Sequence, residues 1–196
     1  MPVMSKIESA FCRSTIWASF ARHVVLPWAL EGTQLSGDVL EIGAGSGAMA
    51  DGMVRAFREA RLTVTDIDEA MVSAARARLA GRRNVIVEQA DVTGLPFEDS
   101  TFDVVTSYLM LHHVVEWRAA LTEAGRVLRP GGTLLGYDLA HTPLAGLIHR
   151  ADRSPHRIVS ATELRGGMTD AGLTGITVHP SVGGLLMRFR AVKNSR

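Results

Sequence analysis

Between Asp38 and Asp138, short apolar runs alternate with segments of helical periodicity, and no other feature of the chain restricts its fold as much. The runs are DVLEIG (38–43), RLTVTD (61–66), NVIVEQ (84–89), FDVVTSY (102–108) and GTLLGYD (132–138). Helical patterns fall between them near 47–59, 69–80 and 116–129. Repeated strand–helix units put the strands in parallel and cover both faces of the sheet with helices. The last of these helices is expected to stop at RPGG, where Pro130 and the glycines after it cannot continue it.

Past Asp138 the pattern changes. The stretch 139–159 contains Pro143 and Pro155 and is long for a structureless connection, so it is either a short helix or a functional lid. Ser160 with Glu163 three residues on is a capping box that starts a helix. GITVHP and LLMRFRAV, separated by SVGG, read as a hairpin that closes one edge of the sheet in antiparallel fashion. Residues 1–37 read as an N-terminal helical extension with Phe11, Trp17, Phe20, Val24 and Trp28 on roughly one side. Packing onto the domain is its first reading, and a share in covering the active site is the second. Residues 38–196 then form the domain itself.

Length and charge narrow the function. A chain of 196 residues is one ordinary domain, and 46% hydrophobic with 21% charged residues is globular composition. A net charge of +1 announces no polyanionic partner. The densest basic cluster, Arg76, Arg78, Arg82 and Arg83, falls where a helix should end, which suits the helix dipole and a solvated face, so nucleic-acid binding is not expected. Cys12 is the only cysteine, which excludes a disulfide framework and fits a reducing cytosol; it reads as a small buried hydrophobe. Arg13, Arg22 and His23 interrupt the N-terminal apolar run, so neither a signal peptide nor a membrane span is expected, and the location is read as cytoplasmic.

The stretch VLEIGAGSGAMA (39–50) carries the chemistry. A glycine turn after a first strand lets backbone approach a ligand and aims helix N–H groups at it. Two registers are open: Gly43, Gly45 and Gly47 make G-x-G-x-G, and Gly43, Gly45 and Ala48 make the dinucleotide pattern G-x-G-x-x-A. Glu41 favours the first, because a carboxylate there repels a pyrophosphate but attracts the ammonium of an amino-acid moiety. Asp66, at the end of the next strand, can accept both hydroxyls of a ribose. Asp68 and Glu69 read as caps of the helix that follows.

These residues resemble a known family, the class I S-adenosylmethionine-dependent methyltransferases, and within it the type 11 group of small-molecule enzymes. VLEIGAGSG looks like its first motif, VTDIDEAM its second, ADVTGLPFEDSTFDVV its third region and LTEAGRVLRPGGTLL its approach to strand five. The resemblance is close over 38–138 and looser elsewhere. It implies an α/β, Rossmann-like three-layer sandwich whose seven-stranded, mostly parallel sheet has an antiparallel C-terminal hairpin strand. It implies S-adenosyl-L-methionine as cofactor, with Glu41, Gly43, Gly45 and Gly47 around its methionine part. Asp66 would take the ribose hydroxyls, Ile67 would lie against the adenine, Asp91 would face the adenine amino group, and Val92 would offer its N–H to the ring. For Asp91 a turn or helix cap is the alternative. For Met71, near the adenine, the alternative is core.

The reaction implied is methyl transfer by in-line displacement, in which the protein supplies mostly alignment and exclusion of water. SYLMLHHV delivers Ser107, Tyr108 and Leu109 to the carboxyl edge of the sheet, at the cofactor's sulfur end. His112 follows as a candidate base, with Asp138 and His141 as further candidates for base or acceptor binding. His149, Asp152 and His156 lack a tight ligand spacing, so no metal is expected. The absence of large insertions favours a small-molecule acceptor with O, N or C as nucleophile. A nicotinamide-dependent oxidoreductase and a non-catalytic S-adenosylmethionine-binding protein are the alternatives.

Overall fold

The computed structural model describes residues 14–142 and 157–195. Cys12, Phe11, the His149, Asp152 and His156 group and most of the 139–159 connection lie outside the described residues. Seven strands form one sheet: β1 (Asp38–Ile42), β2 (Arg61–Asp66), β3 (Val85–Gln89), β4 (Phe102–Tyr108), β5 (Leu128–Leu139), β6 (Leu173–Ser181) and β7 (Leu186–Lys193), in the order β3-β2-β1-β4-β5-β7-β6. The pairs β1–β2, β2–β3, β1–β4 and β4–β5 are parallel, and β7 runs antiparallel to both β5 and β6. The expected fold is therefore present, with the hairpin across 181–186 inserting its second strand between β5 and the edge strand β6.

One apolar layer packs each face. On one side lie α1 (Thr15–Phe20), a π-helical turn (Ala21–Val25), α2 (Leu26–Leu30) and α3 (Ala48–Ala56), against Val39, Leu62, Val104, Leu135 and Tyr137. Gly52 of α3 permits a close approach there, since a Cβ on it would lie 2.9 Å from Leu26. On the other side α5 (Trp117–Val127) and α6 (Ala161–Asp170) cover Leu40, Val105, Leu134 and Phe189. The helix α4 (Glu69–Arg78) follows β2, capped by Asp68, whose carboxylate accepts from Ala70 N at 2.8 Å. The capping box at the start of α6 is formed in full by Ser160 and Glu163.

Two expectations are corrected. The helix α5 ends at Val127 rather than at RPGG, because Leu128 is already extended and pairs with Phe102. Arg129 precedes a proline and so avoids helical backbone, and residues 129–132 form an irregularity inside β5 before Thr133 pairs with Val104. On the N-terminal helices, Trp17 and Trp28 pack in part, but Phe20 and Val24 are half exposed. Their place on the buried side is taken by Ala21, Val25, Leu26, Ala29 and Leu30. The π-helical turn at Ala21–Val25 shifts the spacing of the buried stripe away from the 3.6-residue period that the aromatic positions suggest.

Candidate active site

The strand order reverses at β1 and β4, and the crevice beyond the carboxyl ends of strands at such a point is where open α/β sheets bind ligands. The glycine turn 43–47 leaves β1 into this crevice with Gly43, Gly45 and Gly47 all at positive φ. Asp66 holds the turn: its Oδ2 accepts from Gly45 N at 2.7 Å, and its Oδ1 accepts from Asp68 N at 2.9 Å. Arg78 holds it from below, its Nε donating to Ser46 O at 2.8 Å. Arg78 is thus not merely part of a solvated basic face. No spacing rule links residues so far apart in sequence, and only the packing of α4 beside the turn reveals the contact. Gly47 allows α3 to meet α4, since its Cβ would lie 3.2 Å from that of Ala75. A Cβ at Gly45 would meet nothing within 4 Å, so this glycine faces open space.

Glu41 is fully buried, and among the described residues its Oε2 has no hydrogen-bond partner. Burial pushes its carboxyl up to about 8, and the Asp66 charge adds to the effect. Asp66 is also raised, first by burial, against the opposing pull of the Asp68 and Gly45 amides. A buried carboxyl in this state gains most from a cationic partner, which supplies the charge its surroundings lack. Ser107 Oγ is also buried and without a hydrogen-bond partner among the described residues. The two do not share a face. Glu41 pairs with Thr106 and Ile42 with Ser107, and successive side chains of a strand alternate. Glu41, Asp66 and Tyr108 therefore stand on the α3 side, and Ser107 on the α5 side. Tyr108 is buried there, its hydroxyl 3.7 Å from Met53 Sδ.

The loop after β4 bridges the two sides. Leu109 takes φ 51°, a strained value for a side-chain-bearing residue, and strain of this kind clusters at functional sites. Met110 then lies directly on the glycine turn, since a Cβ at Gly43 would come within 1.9 Å of its Cγ. A 3-10 turn follows at Leu111–His113. His112 Nδ1 meets Asp138 Oδ1 at 2.5 Å, and both side chains are buried. Asp138 also accepts from His112 N at 3.3 Å and from Leu139 N at 2.6 Å. Asp138 stands on the Ser107 face, two places beyond Gly136, the register partner of Ser107. His141 is exposed, and among the described residues no hydrogen bond ties it to this pair.

Beyond β3, Ala90 N donates to Asp66 O at 3.0 Å, which brings the following loop beside β2. Asp91 Oδ1 accepts from Thr93 N and Thr93 Oγ1 at 2.8 and 2.7 Å, the turn role that was its alternative. Val92 and Met71 are buried, whereas Ile67 remains 38% exposed at the rim. Among the described residues no group of three metal-ligating side chains occurs, and no helix is long and apolar enough to cross a membrane.

The turn, the buried acid without a partner and the open side of Gly45 fit a cationic nucleoside bearing an amino acid. A family model described as a methyltransferase domain matches residues 40–136. A ubiquinone/menaquinone biosynthesis C-methyltransferase from Azotobacter vinelandii is 31% identical, over 84% of this chain and 76% of its own. A demethylmenaquinone methyltransferase from Clavibacter sepedonicus is 38% identical, over 69% of this chain and 51% of its own. Among solved structures, a methyltransferase bound to the activator Trm112 from Haloferax volcanii superposes with a TM-score of 0.79 at 18% identity, over 98% of this chain and 99% of its own. A Haemonchus contortus phosphoethanolamine N-methyltransferase in complex with S-adenosyl-L-methionine gives a TM-score of 0.79 at 15% identity, over 95% of this chain and 57% of its own. At these identities the solved structures speak to the fold, and the two sequence relatives to descent. The chain belongs to the family of S-adenosylmethionine-dependent methyltransferases built on this methyltransferase domain.

Proposed function

We propose that the chain methylates a small-molecule acceptor, and that the acceptor is a quinol-type ring whose carbon attacks the methyl group. The observation that carries this reading is the relationship, across 84% of the chain, to a protein named for C-methylation in ubiquinone and menaquinone synthesis. When bound, the cofactor supplies a methyl group activated on a sulfonium. The residues that would hold it are Glu41, Gly43, Gly45 and Gly47 at the amino-acid end, Asp66 and Ile67 at the ribose and adenine, Asp91 and Val92 at the ring, and Ser107 near the sulfur.

A ring carbon becomes a good nucleophile when a neighbouring hydroxyl gives up its proton. His112 is the group in this reading that takes it. Its Nδ1 faces Asp138, so proton transfer falls to Nε2, and the Asp138 carboxylate stabilises the imidazolium that results. His141, past the end of β5, would contact the acceptor rather than the reacting atoms.

The test is incubation of the purified protein with S-adenosylmethionine and a short-chain demethylated quinol, with mass spectrometry of the product. A mass gain of one methyl on a ring carbon supports the reading. Methylation on oxygen alone, or of amine acceptors in a parallel panel, replaces it with another acceptor class. Cofactor binding with no turnover across the panel would favour a non-catalytic binding protein.

A further inference from the structure

We propose that Arg126 is a positioning residue for the adenine end of the cofactor, because it locks the connection from Asp91 to Asp99 into one shape. This rests on the reading of Asp91 and Val92 given above. Those two residues lie in a stretch that is neither helix nor strand, between β3 and β4. Such a stretch has no ladder of backbone bonds to define it, so whatever fixes its shape fixes the adenine contacts too.

Arg126, in the last turn of α5, uses all five of its N–H donors on this task. Its Nη1 donates to Phe97 O at 2.7 Å and to Asp99 Oδ1 at 2.8 Å. Its Nη2 donates to Leu95 O at 3.0 Å and to Glu123 Oε2 at 2.8 Å, and Nε to Glu123 Oε1 at 2.8 Å. Glu123 completes the clamp by accepting from Leu95 N at 2.7 Å. Leu95 is therefore held at both its N–H and its carbonyl, four residues beyond Asp91. The fork-to-carboxylate pairing orients the guanidinium plane, and the carbonyls of Leu95 and Phe97 then have one place to sit.

At the near end the same stretch is anchored by the Ala90–Asp66 bond and by the Asp91–Thr93 turn. Arg126 supplies the far anchor, so Asp91 and Val92 lie between two fixed points. A lysine carries three donors on one nitrogen and cannot reproduce the planar fork.

The experiment uses Arg126→Lys and calorimetric titration with S-adenosylmethionine and with its hypoxanthine counterpart, which carries a carbonyl in place of the adenine amino group. Melting without cofactor is measured alongside. Cofactor affinity is expected to fall about tenfold, and the preference for adenine over hypoxanthine to shrink with it. If both ligands weaken equally, or neither does, Arg126 serves stability alone and the proposal is overturned. Should Arg126→Lys fail to fold, Glu123→Gln, which takes away one of the two carboxylate oxygens that hold the guanidinium and Leu95 N, is read the same way. Asp91→Ala separates the two ideas. If that variant keeps the wild-type preference, the adenine reading of Asp91 fails; if it loses the preference while Arg126→Lys keeps it, the clamp alone fails.

Discussion

His112 and Asp138 stand 26 residues apart in the chain and meet with Nδ1 and Oδ1 2.5 Å apart in the protein interior. The contact joins the loop after β4 to the end of β5 and orients the imidazole. Because Nδ1 faces the carboxylate, Nε2 is the nitrogen that acts as the base in the function proposed above.

Asp138→Asn should lower the methyl-transfer rate by about 10²-fold or more while leaving affinity for S-adenosylmethionine near the wild-type value. Steady-state kinetics beside calorimetry would check this. An equal loss in both would mean that Asp138 shapes the cofactor site rather than the proton transfer.

Glu41 makes stability depend on pH in an uncommon direction for an acid. Its folded value of about 8 lies above the ordinary 4.5, so between these values the native state holds a proton that the unfolded chain releases. Stability in the cofactor-free protein therefore falls as pH rises through that window, is penalised fully above it, and is unaffected below pH 4.5. At about 1.4 kcal/mol per pKa unit the penalty is on the order of a few kcal/mol. Glu41→Gln should melt higher than wild type at pH 8.5 and close to it at pH 5. A constant difference across that range would contradict the assignment.

Asp66 carries the glycine turn on Gly45 N and the approach to α4 on Asp68 N. Asp66→Ala removes both acceptors and leaves two amides to find others, at about 1–3 kcal/mol each where water does not reach them. Thermal melting should show the loss without any ligand, and calorimetry should show S-adenosylmethionine affinity falling beyond detection. Wild-type affinity would remove Asp66 from the cofactor site.

Gly43 cannot accept a side chain for two separate reasons, its φ of 63° and the Met110 Cγ that a Cβ would strike. Gly43→Ala should cost about 2–5 kcal/mol, the sum of a left-handed backbone penalty and overpacking. Adding Met110→Ala relieves only the second part, so denaturant melts should show partial rescue. Full rescue would mean that the backbone strain is negligible at this turn.

Much of this protein was determined by its sequence alone, because the relevant signals are local. Strand β2 and the extent of β4 follow from apolar runs, the start of α6 from Ser160 and Glu163, and the glycine turn from three glycines after an apolar strand with Glu41 in it. His112 and Asp138 were each legible as candidates, since both end apolar strands or follow them at the ligand edge. Tertiary structure alone decided that they touch, that Glu41 and Ser107 lie on opposite faces, that Met110 covers Gly43, and that Arg78 and Arg126 hold loops. The π-helical turn, and with it the buried side of the N-terminal helices, was decided there too. The physical reason is that a periodic pattern reports which face of an element is buried. Contacts between elements depend on strand order and register, which are set by packing of the whole sheet and leave no mark at any fixed spacing along the chain.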